Sequence, residues 1–560
     1  MSKYPSKEKP WLKFFSEAAI LSALPKKTMY EYLYEKNENH LDDIALICDG
    51  RSLTYKEFVD AIHHVAKALY HLGVRKKDTV TIMSVHTIET IIAVYAVNYL
   101  GAVANMAYIT LSSNEIVKMI NNTNSVAYIV LDSALERVMA AKSEIKIPIV
   151  ILPSGNRNCY GMDEFLTWES LMQIDIASFA PVKSDEHEAP ALIVYTSGST
   201  GNPKGVVLSS DALNAINAQF SMTPRASKWG NIYLHTIPVF VAFGIGMLHH
   251  GLCSGETVVL GIAQDVDEMG KLFAEIRPHR FVTGPPVLDS IMKYTTGDLS
   301  RCIDFGGGGE AITAEKEDEF NLFLKDHNSS AQYFAGYGMT EFGSVATFCM
   351  RHAYKRGSVG IPLMHANAKI VDVDTGRELS YGNVGELCMT TPSLMIGYYN
   401  DPESTMEVMS IDDDGTHWMH TGDLAYIDPD GFVFIIGRLK RIYLTQEENG
   451  SIVKIYPQYI ENAIVKELPV ENCGVVMRKD DKRINVPVAF ITIRADSGME
   501  ESRLIECLLE KLQGSLPSYD VPDHIEILSD MPLTQSGKID YKTLEMMTEE
   551  IFRSGIPGKN

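Results

Sequence analysis

Two periodicities alternate along the first 430 or so residues of the chain. Short Val- and Ile-rich runs of strand length, such as Val80-Thr81-Ile82-Met83, Val126-Ala127-Tyr128-Ile129-Val130, Ala191-Leu192-Ile193-Val194 and Val258-Val259-Leu260, fall between longer stretches with a helical repeat. That alternation predicts an α/β fold. From Thr90 to Asn114 no residue is charged, a length that could cross a bilayer. Asn98 and Asn105 interrupt the stretch, Gly101 splits it, and Leu111-Ser112-Ser113-Asn114-Glu115 has the form of a turn and helix cap. The prediction is therefore a buried helix followed by a buried strand, with no transmembrane segment.

The pattern changes at Asp428-Pro429-Asp430-Gly431, a hairpin-type turn that precedes a strand over Phe432 to Ile436. After about Arg441 the chain mixes predicted strands (Cys473 to Met477, Val488 to Ile493) with predicted helices (Tyr459 to Leu468, Ser502 to Leu512), an α+β region. At 560 residues and 45% hydrophobic content, more than one core is expected. The net charge of -22 argues against sequence-blind nucleic-acid binding, which needs a basic face. Eight cysteines with no CxxC pair and no secretory leader fit reduced thiols in a cytoplasm, not a disulfide frame or a zinc site. Near the N-terminus, Lys7, Lys9 and Lys13 interleave with Trp11, Phe14 and Phe15, which suits weak membrane association or an ordinary amphipathic terminus.

The most telling stretch is Tyr195-Thr-Ser-Gly-Ser-Thr-Gly-Asn-Pro-Lys-Gly205. It lies between two short predicted strands and concentrates hydroxyls, glycines and one lysine. Glycines let backbone N–H groups approach phosphate oxygens. Thr196, Ser197, Ser199 and Thr200 add donors around Gly198, and Lys204 supplies a mobile positive charge. A Walker A loop is excluded by spacing: five residues beyond Gly198 stands Pro203, and Lys204 is followed by Gly205 rather than Ser or Thr. ATP is the ligand this composition suits.

Further along stand Tyr337-Gly338-Met339-Thr340-Glu341, Thr421-Gly422-Asp423, Gly437-Arg438-Leu439-Lys440 and Pro532-Leu533-Thr534-Gln535-Ser536-Gly537-Lys538-Ile539-Asp540. Together with the first loop, and in this order, they resemble the acyl-adenylate-forming superfamily of acyl-CoA synthetases, peptide-synthetase adenylation domains and firefly luciferase. The resemblance implies a large, multi-subdomain N-terminal adenylation domain (1–437), a hinge (438–441) and a small mobile C-terminal domain (442–560), with the ligand between them. It implies an acid–thiol ligase that uses ATP and Mg²⁺. Glu341 is implied as the Mg²⁺ ligand, in keeping with that ion's preference for oxygen, and Thr340 as a bond to the α-phosphate. Tyr337, beside Gly338, would lie against adenine, and Gly309, Glu310 and Ala311 would form the adenine-side loop, whose Gly308 also walls the acyl tunnel. Asp423 and Arg438 would hold the ribose, Asp423 from a loop beside a strand. Lys538 would bridge the incoming carboxylate and the α-phosphate, and Lys440 would be the pivot that rotates the small domain for the thiol step.

The acid itself is constrained by Ile237-Pro238-Val239-Phe240-Val241-Ala242-Phe243-Gly244, which contains no carboxylate. A buried α-ammonium would lack a counter-charge there, so an amino-acid substrate is disfavoured. Phe240, Val241, Ala242, Phe243, Ile245 and Met247 suggest an apolar pocket for a fatty or aryl acid. Many acyl-CoA synthetases have His where Val241 stands, and Thr445-Gln446-Glu447-Glu448-Asn449-Gly450 lengthens the region where the carrier of the thiol would dock. Coenzyme A is the expected thiol. The phosphopantetheine of an acyl carrier protein is the alternative.

Overall fold

The computed structural model describes residues 4–154, 165–176, 183–196, 203–223, 228–263, 265–310, 312–447, 449–467, 470–493, 500–534 and 538–553. Two mainly parallel sheets form the larger part. In the first, Thr79–Met83 lies at the centre, parallel to Val103–Ala107 and Ser125–Leu131, and Pro190–Tyr195 extends it beyond Val103–Ala107. Gly205–Ser209 then turns back antiparallel to Pro190–Tyr195, with Tyr195 opposite Gly205. In the second sheet, Ile232–His235, Arg280–Thr283, Asp304–Gly307 and Tyr333–Tyr337 run parallel in that spatial order. The alternation of strand and helix in the sequence is the α/β layering seen here.

The uncharged stretch becomes the helix Ile88–Tyr99, buried over all its residues from Ile88 to Asn98, and the fully buried strand Val103–Ala107. Asn98 is satisfied inside the core: its Oδ1 accepts the Tyr30 N–H at 3.0 Å and its Nδ2 donates to Ser210 Oγ at 3.0 Å. Ser112 and Glu115 form a reciprocal capping box that opens the next helix, Ser113–Asn122. Among the described residues, no helix is long and apolar enough to cross a membrane.

The N-terminal aromatics pack inward. Trp11 is fully buried, Phe15 is 8% exposed, and Phe14 packs edge-on against Phe432 at 5.5 Å. Ser6 Oγ donates to Glu378 and Lys13 pairs with Asp430. Trp11 and Phe15 are thus covered by the chain, the packing of an ordinary amphipathic terminus.

A third sheet carries Asn367–Val371, Gly385–Thr390, His417–Ile427 and Met409–Ile411, with Val433–Arg438 paired to the far part of His417–Ile427. The predicted hairpin around Asp428–Gly431 joins those last two long strands, Ile427 facing Val433. A single 3-10 turn, Leu439–Arg441, leads out of it. Beyond lie the hairpin Tyr443–Gln446/Ile452–Ile455, the sheet Val470–Asp480, Ile484–Ile493 and His524–Ile527, and the helices Pro457–Lys466, Glu501–Ser515 and Tyr541–Arg553. Residues of this part pack in apolar clusters of their own, built on Ile460, Ile464, Val475, Ile491 and Leu508, and on Val488, Phe490 and Leu544.

Candidate active site

Four strand ends and one hairpin of the C-terminal part converge on a polar cleft. Strand Tyr333–Tyr337 ends there, and the short turn Thr340–Phe342 follows it. Gly338 makes this tight passage possible, since a Cβ at that position would stand 1.8 Å from the Ser344 carbonyl oxygen. The turn places Glu341, 6% exposed, so that its Oε1 accepts the Tyr398 hydroxyl at 2.7 Å. Lys204 Nζ sits 4.9 Å from the centroid of the same Tyr398 ring. Tyr398 therefore ties the lysine of the phosphate-type loop to the carboxylate expected to hold Mg²⁺, a link the sequence reading missed.

At the mouth of that loop the backbone closes on itself: Thr196 N–H donates to the Lys204 carbonyl at 3.0 Å, and Lys204 N–H donates to Thr196 Oγ1 at 3.2 Å. Ser197, Gly198, Ser199 and Thr200 lie outside the described residues, as does Ala311. Gly308, Gly309 and Glu310 follow the strand Asp304–Gly307 into the cleft, with Gly309 at φ +89°.

The ribose candidates form one hydrogen-bonded unit. Asp423, 3% exposed, accepts the Tyr337 hydroxyl on Oδ2 at 2.6 Å and forms an ion pair with Arg438, whose Nε lies 2.9 Å from Oδ1. Arg438 also donates to the Thr421 carbonyl at 3.2 Å. Burial pushes the Asp423 carboxyl above its ordinary value while Arg438 pulls it back, and burial also raises the Tyr337 hydroxyl. Asp423 is not in a loop beside a strand, as its Thr-Gly-Asp setting suggested. It lies within the strand His417–Ile427, directly opposite Arg438 in register.

Lys538 comes from the other part of the molecule. Leu533 and Ile539 pair as an isolated antiparallel bridge, Thr534 N–H donates to the Lys538 carbonyl at 2.7 Å, and Lys538 N–H donates back to Thr534 Oγ1 at 3.2 Å. This small loop puts the Lys538 ammonium within electrostatic reach of Glu310, Asp423, Glu341 and Arg438. Water still reaches its side chain. Crowding by the cleft walls, with Arg438 adding to it, nevertheless pushes the ammonium below the ordinary lysine value against the pull of the three carboxylates. Glu310 is pushed up by its own burial and pulled back by Lys538.

Other candidates sit apart from this polar group. Phe240, Ala242, Ile245 and Met247 are buried, Phe240 edge-on to Tyr108 at 5.2 Å, while Val241 and Phe243 are half-buried at the start of the helix Ala242–Cys253. Lys440 is exposed on the Leu439–Arg441 turn. Its neighbour Arg441, not singled out from the sequence, turns inward: it donates to Glu461 Oε1 at 2.6 Å and to the Val475 carbonyl at 2.9 Å, and lies 3.8 Å over the Tyr541 ring.

Residues 33–399 match the AMP-binding enzyme family, and residues 459–538 match the AMP-binding enzyme C-terminal domain. The chain belongs to the AMP-binding enzyme family. It is 29% identical to the 4-coumarate--CoA ligase-like 2 of Arabidopsis thaliana, over 89% of this chain and 87% of that one. With the 4-coumarate:CoA ligase 1 of Petunia hybrida it shares 28% identity over 94% and 95% of the two chains. Among solved structures, an anthranilate CoA ligase in complex with anthranoyl-AMP superposes with a TM-score of 0.81 at 20% identity, covering 94% of this chain and 98% of that one. A benzoate CoA ligase from Burkholderia xenovorans LB400 gives 0.78 at 21% identity, over 92% and 99%. The protein is an adenylate-forming ligase, with the large N-terminal and small C-terminal parts of that fold.

Proposed function

We propose that the chain joins an apolar carboxylic acid, aryl in the first instance, to the thiol of coenzyme A through an acyl-adenylate. The acid's carboxylate oxygen attacks the α-phosphorus of ATP, the bond to the β-phosphate oxygen breaks, and pyrophosphate leaves. The thiol sulfur then attacks the acyl carbonyl, its proton is lost to solvent, and AMP departs. In-line displacement of this kind needs groups held in place and charge neutralised more than covalent help. Lys538 supplies a positive charge where the two anionic reactants meet, and Lys204 one where pyrophosphate leaves. Asp423 and Arg438 orient the ribose, with the Tyr337 ring beside the base.

Glu341 fits a Mg²⁺ ligand, since only its Oε1 is taken by Tyr398 among the described residues and a second carboxylate oxygen remains. Bound there, the ion would neutralise phosphate charge. The observation that carries the proposal is the position of Lys538, brought by the C-terminal hairpin among Glu310, Glu341, Asp423 and Arg438. The apolar residues around Phe240 to Phe243 and the absence of a carboxylate there support an acid without an ammonium group. The named acids of the relatives support an aryl group.

Pyrophosphate exchange with a panel of aryl and fatty acids, followed by detection of acyl-CoA, tests this reading. Exchange and thioester formation strongest with aryl acids are expected. Folded protein that exchanges with none of them rejects the proposal, and acyl transfer to a holo carrier protein without acyl-CoA formation replaces its second half.

A further inference from the structure

The strands Gly385–Thr390 and His417–Ile427 do not keep continuous register. Cys388 faces His420 and Glu386 faces Leu424, so Thr421, Gly422 and Asp423 stand opposite Leu387 alone. The two surplus residues make a bulge larger than the usual one-residue kind. Gly422 takes φ +69° in it, the left-handed region that glycine enters without penalty. Its ladder hydrogen bonds are lost, so the bulge must find other partners. Thr421 Oγ1 donates to the Leu387 carbonyl at 2.7 Å and accepts the Asp423 N–H at 3.1 Å. The Gly422 N–H goes to Glu386 Oε1 at 3.0 Å. The second Glu386 oxygen lies 2.9 Å from His420 Nδ1, which is also 3.3 Å from Cys388 Sγ, while His420 Nε2 lies 3.1 Å from Ser410 Oγ.

We infer that Glu386 is a positioning residue for nucleotide binding: braced by His420, its carboxylate holds the Gly422 amide and so fixes the bulge that presents Asp423 to the ribose. The inference rests on Asp423 as ribose ligand. Tyr337 and Arg438 fix the Asp423 side chain, and Arg438 also holds the oxygen side of the Gly422 peptide through the Thr421 carbonyl at 3.2 Å, which leaves its N–H side unrestrained by either. A charge-assisted bond from a largely buried carboxylate restrains that side, and its direction fixes the strand on which Asp423 rides. Among the described residues, the hydrogen bonds of Glu386 and His420 run to Gly422, Cys388, Ser410 and each other, none to Phe240–Phe243. Loss of Glu386 therefore acts on ATP and leaves the acid alone.

The test is calorimetric titration of ATP into the full-length protein, with KM for ATP and for the acid measured in parallel. Glu386→Ala is expected to weaken ATP binding about tenfold, to leave KM for the acid within about twofold and to lower the melting temperature by about 2–4 °C. Glu386→Gln is expected to recover most of the loss, because its amide oxygen still accepts the Gly422 N–H. In an Asp423→Ala background, Glu386→Ala should add nothing, since the residue acts through Asp423. Should Glu386→Ala not accumulate as folded protein, His420→Ala carries the same test and is expected to weaken ATP binding selectively but less. Parental ATP affinity in Glu386→Ala, an additive double variant, or stoichiometric zinc in the purified protein, which would make Glu386, Cys388 and His420 metal ligands, overturns the inference. Failure of the parent protein to bind ATP overturns the ribose reading with it, whereas nucleotide binding without turnover of any acid rejects only the proposed reaction.

Discussion

At the scale of single residues, the balance of charge around Lys538 is the central feature of the cleft. Lys538 is held near Glu310, Asp423 and Glu341, yet its ammonium is pushed down because crowding outweighs their attraction. Lys538→Ala is expected to slow pyrophosphate exchange by about 10²-fold or more, the usual loss when a group that stabilises developing charge is removed. The sign of the shift adds a second expectation. A lysine with a lowered value sheds its proton at lower pH than a free one, so the alkaline fall in exchange rate should begin below the ordinary lysine range and be absent from residual activity in Lys538→Ala. A pH profile of exchange, taken for both proteins, checks it. Tyr337→Phe separates the ring from its hydroxyl: the ring proposed to lie beside the base is kept, but Asp423 Oδ2 loses a 2.6 Å partner. KM for ATP should rise about three- to tenfold with little change in KM for the acid, as steady-state kinetics on both substrates would reveal.

At the scale of elements, the sequence was most legible where one segment carries its own pattern. The runs around Ile193 and Val207 become paired strands, and Ser112 with Glu115 caps a helix as their spacing predicted. Partners distant in the chain were not legible. Nothing near Asp423 announces that Tyr337, 86 residues away, donates to it. Glu386 and His420 likewise matter only because two strands lie side by side with a bulge between them, which no local periodicity encodes. The Thr421-Gly422-Asp423 segment looked like a loop for a physical reason: its bulge uses the same glycine that a turn would. Small elements of the C-terminal part also set stability. Asp520 lies in the turn between the helix Glu501–Ser515 and the strand His524–Ile527, is 6% exposed, and has an Oδ1 without a hydrogen-bond partner among the described residues. Burial raises its value from 3.8 to about 6. The folded state therefore binds the proton more tightly than the unfolded chain, and stability falls as pH rises through that interval, the penalty being complete above it. Asp520→Asn should raise the melting temperature at pH 7.5 by about 3 °C, with the gain vanishing near pH 4. Thermal melts of the two proteins across that range would show the convergence.

At the scale of the whole molecule, the C-terminal part has apolar cores of its own. Its apolar clusters contain only its own residues, and an ion pair to the larger part, Lys466 with Glu315 at 3.9 Å, is half-exposed on both sides and worth little. Just past the Leu439–Arg441 turn the situation reverses. Arg441 is clamped by Glu461, the Val475 carbonyl and the Tyr541 ring, and Tyr541 is three residues beyond Lys538 in the chain. A rotation that begins before Arg441 carries the lysine loop with it, and exposed Lys440 is the last residue free of that clamp. If the turn is the pivot between acid activation and thiol transfer, fixing its backbone should stop one half of the reaction only. Proline locks φ near −65°, which suits the 3-10 turn present here and opposes any state that needs a φ far from that value. Lys440→Pro is therefore expected to keep pyrophosphate exchange within about threefold of the parent protein and to lower acyl-thioester formation at least about tenfold, a split that loss of the whole fold could not produce. Equal losses in the two half-reactions, measured on the same preparation, would place the pivot elsewhere.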